Sequence, residues 1–150
     1  LYNNHMNKDP GMRIETFKEK CRMNALKITP QRMAIYEELL KAEDHPSADV
    51  LYNRVRNRLP NISFDTVYRT LLSFSETGIA DVVEGYGEPK RFDPDTREHH
   101  HFRCAKCGKI TDFHSDLYDN LKIPEEIRHE FKVTKKRVLL EGICENCGKE

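Results

Sequence analysis

The sequence predicts an α+β chain of two small domains: an N-terminal winged helix-turn-helix domain, then a C-terminal α/β domain organised by four cysteines. Three observations carry this. Helix-start signals recur three times before the first glycine-rich turn. The hydrophobic period then shortens from that of a helix to that of a strand. Finally, a C-x-x-C-G-K hexapeptide occurs twice in the last third, at Cys104–Lys109 and Cys144–Lys149.

Taken in order, Thr29-Pro30-Gln31 reads as a helix start, with Thr29 as cap and Pro30 at the first helical position. Met33, Tyr36 and Leu40 follow at helical spacing. Ser47 caps a second helix with Asp49 in its first turn, and Leu51, Val55 and Leu59 form its apolar stripe up to Pro60-Asn61. Ser63 caps a third helix, Phe64 to Thr77, which Gly78 ends. Val67, Leu71 and Phe74 share one face of this helix, while Asp65, Thr66, Arg69 and Ser73 lie largely away from it. From Ile79 to Phe92 the pattern alternates around Gly85-Tyr86-Gly87-Glu88-Pro89, which reads as a hairpin. Three helices and a hairpin is the order of a winged helix-turn-helix.

Asp93 to Glu98 is polar and unpatterned and reads as a hinge. The expected domains are therefore 6–92, a hinge at 93–98, and 99–150. Beyond the hinge, strands are expected at His99–Cys104, Lys109–His114 and Phe131–Ile143, with a short helix between Ser115 and His129. Leu1 to His5 read as a cloning remnant, with Met6 as the expected native start.

The 150 residues carry 25 basic and 25 acidic side chains. A balanced total points to no polyanion, so any DNA-binding surface must be a local cluster. No stretch approaches the roughly 18 apolar residues of a membrane span, and no basic-then-apolar secretion signal is seen. The five cysteines include an odd one, Cys21, which reads as a partly buried thiol. An odd count without a signal fits a reducing, cytoplasmic setting better than a disulfide scaffold.

Two residues between cysteines let both thiolates reach one tetrahedral zinc, and a glycine just after the second permits a tight turn. Cys104, Cys107, Cys144 and Cys147 would close the coordination shell of one structural Zn(II) per chain, with no open position for catalysis. Redox-active dithiols are the competing reading, weakened by the matched flanks of the two knuckles. His99-His100-His101 lies just before Cys104. On a strand His99 and His101 share a face and His100 takes the other. That pair is a ready chelate, and Asp93, His45 and Asp112 are candidates to complete it. Imidazole with carboxylate favours Fe(II), Mn(II) or Zn(II). A solvated histidine strand is the plain alternative.

With these residues assembled, the chain resembles the ferric uptake regulator (Fur) family from about Phe17 to Gly148. The match is carried by Thr29-Pro30-Gln31-Arg32, His45-Pro46-Ser47-Ala48, Ser63-Phe64-Asp65-Thr66-Val67-Tyr68-Arg69, Arg91-Phe92-Asp93, His99 to Cys104 and the two knuckles. The resemblance implies a homodimeric repressor, with the C-terminal domain as its dimerisation domain, that binds palindromic double-stranded operator DNA when a regulatory site is loaded with Fe(II) or Mn(II). It places that site at His45, Asp93, His99, His101 and Asp112. Thr66, Tyr68 and Arg69 are the candidates for contacts from the recognition helix. Arg32, Arg54, Arg56 and Arg58 are phosphate contacts or solvated charges, and Lys90 and Arg91 would set the wing near a minor groove.

Aspartate at both 93 and 112 resembles the peroxide-sensing branch, in which iron-catalysed oxidation of a ligand histidine releases DNA; the mapped targets are His45 and His99. The iron-responsive branch usually has glutamate there and is the alternative. Arg69 departs from one peroxide-sensor pattern. A further family metal site would map to Glu98, His100, Asp119 and Lys136, where a protonated lysine is a poor ligand. A hydrolase using His99, His101 and Asp93 lacks an H-E-x-x-H motif or nucleophile. A zinc-ribbon interaction module with an incidental winged helix is the other rival. DNA binding that rises with metal separates a regulator from both.

Overall fold

The computed structural model describes residues 10–83 and 89–149. The readings of Leu1–His5, of Met6 and of most of the turn around Gly85 fall outside the described residues. The fold is α+β, and it divides into two compact units at the Thr96–Arg97 bond.

The N-terminal unit opens with α1 (Pro10–Met23), a helix additional to the three capped ones. It buries Phe17 and Cys21, and the Phe17 ring stacks on Tyr36 at 4.2 Å. Cys21 is therefore fully buried, not partly so. Helix α2 (Pro30–Lys41) starts where Thr29 accepts the Arg32 N–H, and its inner face is Ala34, Ile35, Tyr36 and Leu39. Helix α3 (Ala48–Val55) is capped by Ser47 and stops earlier than its apolar period suggests. The N–H groups of Arg58 and Leu59 both turn back onto the Val55 carbonyl at 2.9 Å. That turn returns Leu59 to the core without continuing the helix. Helix α4 (Phe64–Glu76) buries Val67, Thr70, Leu71 and Phe74. It ends in a left-handed Gly78, φ 72°, with the Ile79 N–H on the Phe74 carbonyl at 2.8 Å, which satisfies the orphan carbonyls of the last turn.

Strands β1 (Asp81–Val83) and β2 (Arg91–Asp93) pair antiparallel, Asp81 opposite Asp93. Asp93, expected to begin the hinge, is the last residue of this ladder. Phe92 points inward and closes a core shared with Phe17, Leu39, Leu51, Leu71 and Phe74.

The C-terminal unit holds β3 (His100–Cys104), β4 (Ile110–Phe113) and β5 (Leu139–Gly142) in the order β4-β3-β5. β3 runs antiparallel to β4 and parallel to β5. The strand expected over Phe131–Ile143 is thus paired only over Leu139–Gly142, because β3 offers so short a partner. The single helix expected after Ser115 is two, α5 (Asp116–Asp119) and α6 (Glu125–Glu130), separated at Pro124, which cannot continue a helix. Helix α7 (Glu145–Gly148) carries the last knuckle.

The two units bury very different cores. Among the described residues from Arg97 onward, the buried apolar side chains are Cys104 and Ile110 alone. Leu117, Leu121, Ile127, Phe131, Val133, Leu139, Leu140 and Ile143 are exposed there.

Candidate metal centres

The four cysteine sulfurs of the knuckles lie within 4.8 Å of one another. The chain builds this cluster from both ends of the C-terminal unit. After Cys104 the backbone doubles back, with the Gly108 N–H on the Cys104 carbonyl at 2.9 Å and Gly108 left-handed at φ 74°. Gly148 does not share that conformation; it closes α7, so the two knuckles match in sequence but not in backbone. Parallel pairing of β5 with β3 places Cys104 beside Gly142, and the Ala105 N–H on the Gly142 carbonyl at 2.7 Å fixes the approach.

Cys104 Sγ accepts the N–H groups of Cys107 at 3.5 Å and Cys144 at 3.3 Å. These two dipoles lower its pKa to about 6. Cys147, whose thiol bonds to Cys144 and is pushed further by burial and the neighbouring sulfurs, is raised to about 12. Cys104 thus favours the thiolate while Cys147 resists ionising in the same cluster, which is the electrostatics of a site that a cation would relieve. Cys107 and Cys144 sulfurs sit 3.8 Å apart. Tetrahedral ligands about 2.3 Å from zinc are about 3.8 Å from each other, so the donor set fits that ion.

The five other candidate ligands fall into two groups, one in each unit. In the C-terminal unit, His99 Nε2 and His101 Nε2 are 3.0 Å apart. Asp112, opposite His101 in the β3–β4 ladder, brings Oδ1 to 3.1 Å from His101 Nε2 and 3.7 Å from His99 Nε2. Donors about 2.1 Å from a first-row cation are about 3.0–3.5 Å from one another, so this N,N,O cluster fits one. His99 Nδ1–H donates to the Arg97 carbonyl at 2.7 Å, which turns the Nε2 lone pair toward the cluster. His100 points the other way.

In the N-terminal unit, His45 Nε2 lies 3.4 Å from Asp93 Oδ2. His45 takes a left-handed backbone, φ 50°, which a non-glycine residue adopts only where its surroundings impose it. They do: the Phe92 N–H holds the Pro46 carbonyl at 3.0 Å, Ser47 bridges to Arg91, and the Arg91 guanidinium binds the carbonyls of Asp44 and His45. Arg91, on strand β2, therefore anchors the histidine loop. Asp93 is in turn fixed by accepting the Asp95 N–H at 2.9 Å on Oδ1.

The residues of the further family site are otherwise engaged. His100 Nδ1 accepts the Val138 N–H at 3.0 Å, so its Nε2–H donates to Asp119 at 2.7 Å. Lys136 Nζ donates to the carbonyls of Asp119 and Leu121, and Glu98 is exposed. Buried His100 thus ties β3 to α5 and β5, a role sequence spacing alone did not suggest.

On α4, the Thr66 hydroxyl is drawn into the cap, 2.8 Å from Ser63 Oγ. Tyr68 stacks on Phe64 at 6.0 Å, and Arg69 pairs with Asp65. Among the other arginines, Arg54 forms a fork on Asp44 at 2.9 and 2.6 Å and holds that carboxyl below its usual range. Arg58 pairs with Glu37 at 2.8 Å, and Arg56 lies over the Tyr52 ring.

A family model described as the ferric uptake regulator family matches residues 23–141. The chain belongs to that family. It is 38% identical over 137 residues to the peroxide operon regulator of Bacillus subtilis, covering 91% of this chain and 92% of that protein. It is 37% identical over 129 residues to the peroxide-responsive repressor PerR of Staphylococcus epidermidis, covering 86% of each. Its fold matches the ferric uptake regulator of Vibrio cholerae with a TM-score of 0.68 at 29% identity, over 85% of this chain and 98% of that one. No helix among the described residues is long and apolar enough to cross a membrane.

Proposed function

We propose that this chain is a homodimeric, metal-dependent, DNA-binding repressor that responds to peroxide. Residues 6–92 form a winged-helix DNA-binding domain with α4 as recognition helix, residues 93–98 a hinge, and residues 99–150 a dimerisation and metal-binding domain. The cysteine cluster holds one structural Zn(II) per chain. The exposed apolar side chains from Leu117 to Ile143 support dimerisation, since so large a set on so small a unit marks a protein interface.

The observation that carries the reading is the His99–His101–Asp112 donor cluster, in a chain that is 37–38% identical over most of its length to two peroxide-responsive regulators. His45 and Asp93 complete that cluster into a regulatory site for Fe(II) or Mn(II). Because the ligands come from both units, loading favours one relative orientation of the domains. That orientation presents the two recognition helices of the dimer to successive major grooves of a palindromic operator, about 34 Å apart. A coupling free energy of about 1–3 kcal/mol gives roughly 5- to 150-fold tighter DNA binding with metal.

The test is duplex binding, using a site selected from a random duplex pool, titrated with Mn(II). His45→Ala and His101→Ala should each abolish the metal stimulation and leave cysteine-bound zinc at one per chain. Normal stimulation in both variants would put the regulatory site elsewhere.

A further inference from the structure

The recognition helix carries an ion pair that the fold has little use for. Arg69 Nε lies 3.1 Å from Asp65 Oδ1 and 2.9 Å from Oδ2, one helical turn away. The Arg69 and Asp65 side chains are 78% and 66% exposed, so the pair adds little to stability. Both residues stand off the buried stripe of Val67, Leu71 and Phe74.

Its geometry has a consequence for recognition. A guanidinium can offer two bidentate edges, one formed by Nε with a terminal nitrogen, the other by the two terminal nitrogens. Asp65 occupies Nε and leaves the end-on fork, which is the edge that matches the O6 and N7 acceptors of guanine in a major groove. It also restrains a long side chain that would otherwise lose rotamer freedom on binding. We infer that Asp65 is a specificity-positioning residue: by chelating Arg69 Nε it presents the guanidinium end-on to a guanine of the operator half-site. This rests on the DNA-binding reading above. A second effect follows from the same carboxylate. Its negative charge near the duplex weakens binding to every sequence, so it sharpens discrimination both by ordering the arginine and by penalising unrelated DNA.

The test uses the full chain, zinc-replete and Mn(II)-loaded, with a random duplex pool followed by single-base variants of the selected site. Wild type should select a palindrome with a guanine in each half-site, preferred by about tenfold or more over other bases. Arg69→Ala should erase that preference. Asp65→Asn should cut it to about threefold or less while binding unrelated duplex as well as or better than wild type; Asp65→Glu, which keeps a carboxylate one turn away, should restore most of it. In an Arg69→Ala background, Asp65→Asn should leave base ranking unchanged. Any small change in helix stability acts equally on all sequences and cannot mimic this pattern. If wild type selects a site and Arg69→Ala changes its ranking but Asp65→Asn does not, or if Arg69→Ala changes nothing, the inference alone falls. If wild type selects no sequence, the DNA-binding reading falls with it.

Discussion

Replacing Cys104 with serine should remove the bound zinc and unfold the C-terminal unit while the N-terminal unit stays folded. The reason is the imbalance of cores. The N-terminal unit closes over Phe17, Leu39, Leu51, Leu71, Phe74 and Phe92, whereas the described residues from Arg97 onward bury only Cys104 and Ile110 as apolar side chains. A structural zinc contributes about 10–16 kcal/mol of apparent binding free energy, as much as the roughly 5–15 kcal/mol that stabilises a whole domain. Cys104 is the most consequential of the four ligands, because its sulfur also gathers the N–H groups of both knuckles. Wild type should hold one zinc per chain and sediment as a dimer. Cys104→Ser should hold under about a tenth of that and sediment as a monomer. Amide exchange should become fast from about residue 97 onward and remain slow in α2 and α4. Cys21→Ser, a change within the other core, should leave zinc content untouched. A folded, metal-free dimer of the Cys104 variant would end the structural reading of the site.

Which of these features a sequence displays depends on how local their causes are. The starts of α2, α3 and α4 were legible because a cap is made by residues three apart: Thr29, Ser47 and Ser63 each accept the N–H three positions on. The face shared by His99 and His101 was legible from the two-residue period of a strand. The end of α3 was not, since Leu59 keeps the helical apolar spacing yet reaches the core from a turn. The length of β5 was equally hidden, being set by a partner strand some forty residues away. The anchoring role of Arg91 is hidden for the same reason. Nothing near it in the chain announces that its guanidinium holds the carbonyls of Asp44 and His45, which lie 47 and 46 residues earlier. Aspartate and histidine types named the candidate ligands; Asp95 and Arg97 restrain Asp93 and His99 from only two residues away, whereas the hold of Arg91 on the His45 loop belongs to tertiary structure.

Exposure of the Fe(II)-loaded dimer to low peroxide should weaken operator binding by about tenfold or more, whereas the Mn(II)-loaded dimer should stay bound. Bound Fe(II) supplies the electrons that reduce peroxide, and Mn(II) does not readily do so. The protein's part is to place an oxidisable ring against that chemistry and keep it there. His99 is held on both sides, its Nδ1–H on the Arg97 carbonyl at 2.7 Å and its Nε2 in the donor cluster. His45 is held by a backbone that Arg91 and Phe92 fix in a left-handed turn. Oxygen added to either imidazole removes the basic lone pair that the site needs, so the domains lose their metal-favoured orientation and DNA is released. Tryptic digestion separates the two targets. His45 falls in the peptide Ala42–Arg54, and His99 in Glu98–Arg103 with His100 and His101, where fragment ions are needed to place the oxygen. One added oxygen should appear on His45 or His99, and not on His100, which faces Asp119 on the other side of β3. Asp112→Glu should keep metal-dependent binding but blunt the oxidation, because a longer carboxylate would hold the ion with more reach and leave less room for peroxide beside His99 and His101. If neither peptide gains oxygen and the Fe(II)-loaded wild type remains on DNA, the chain is an iron-responsive repressor that does not sense peroxide, and aspartate at positions 93 and 112 does not mark the chemistry assigned to it.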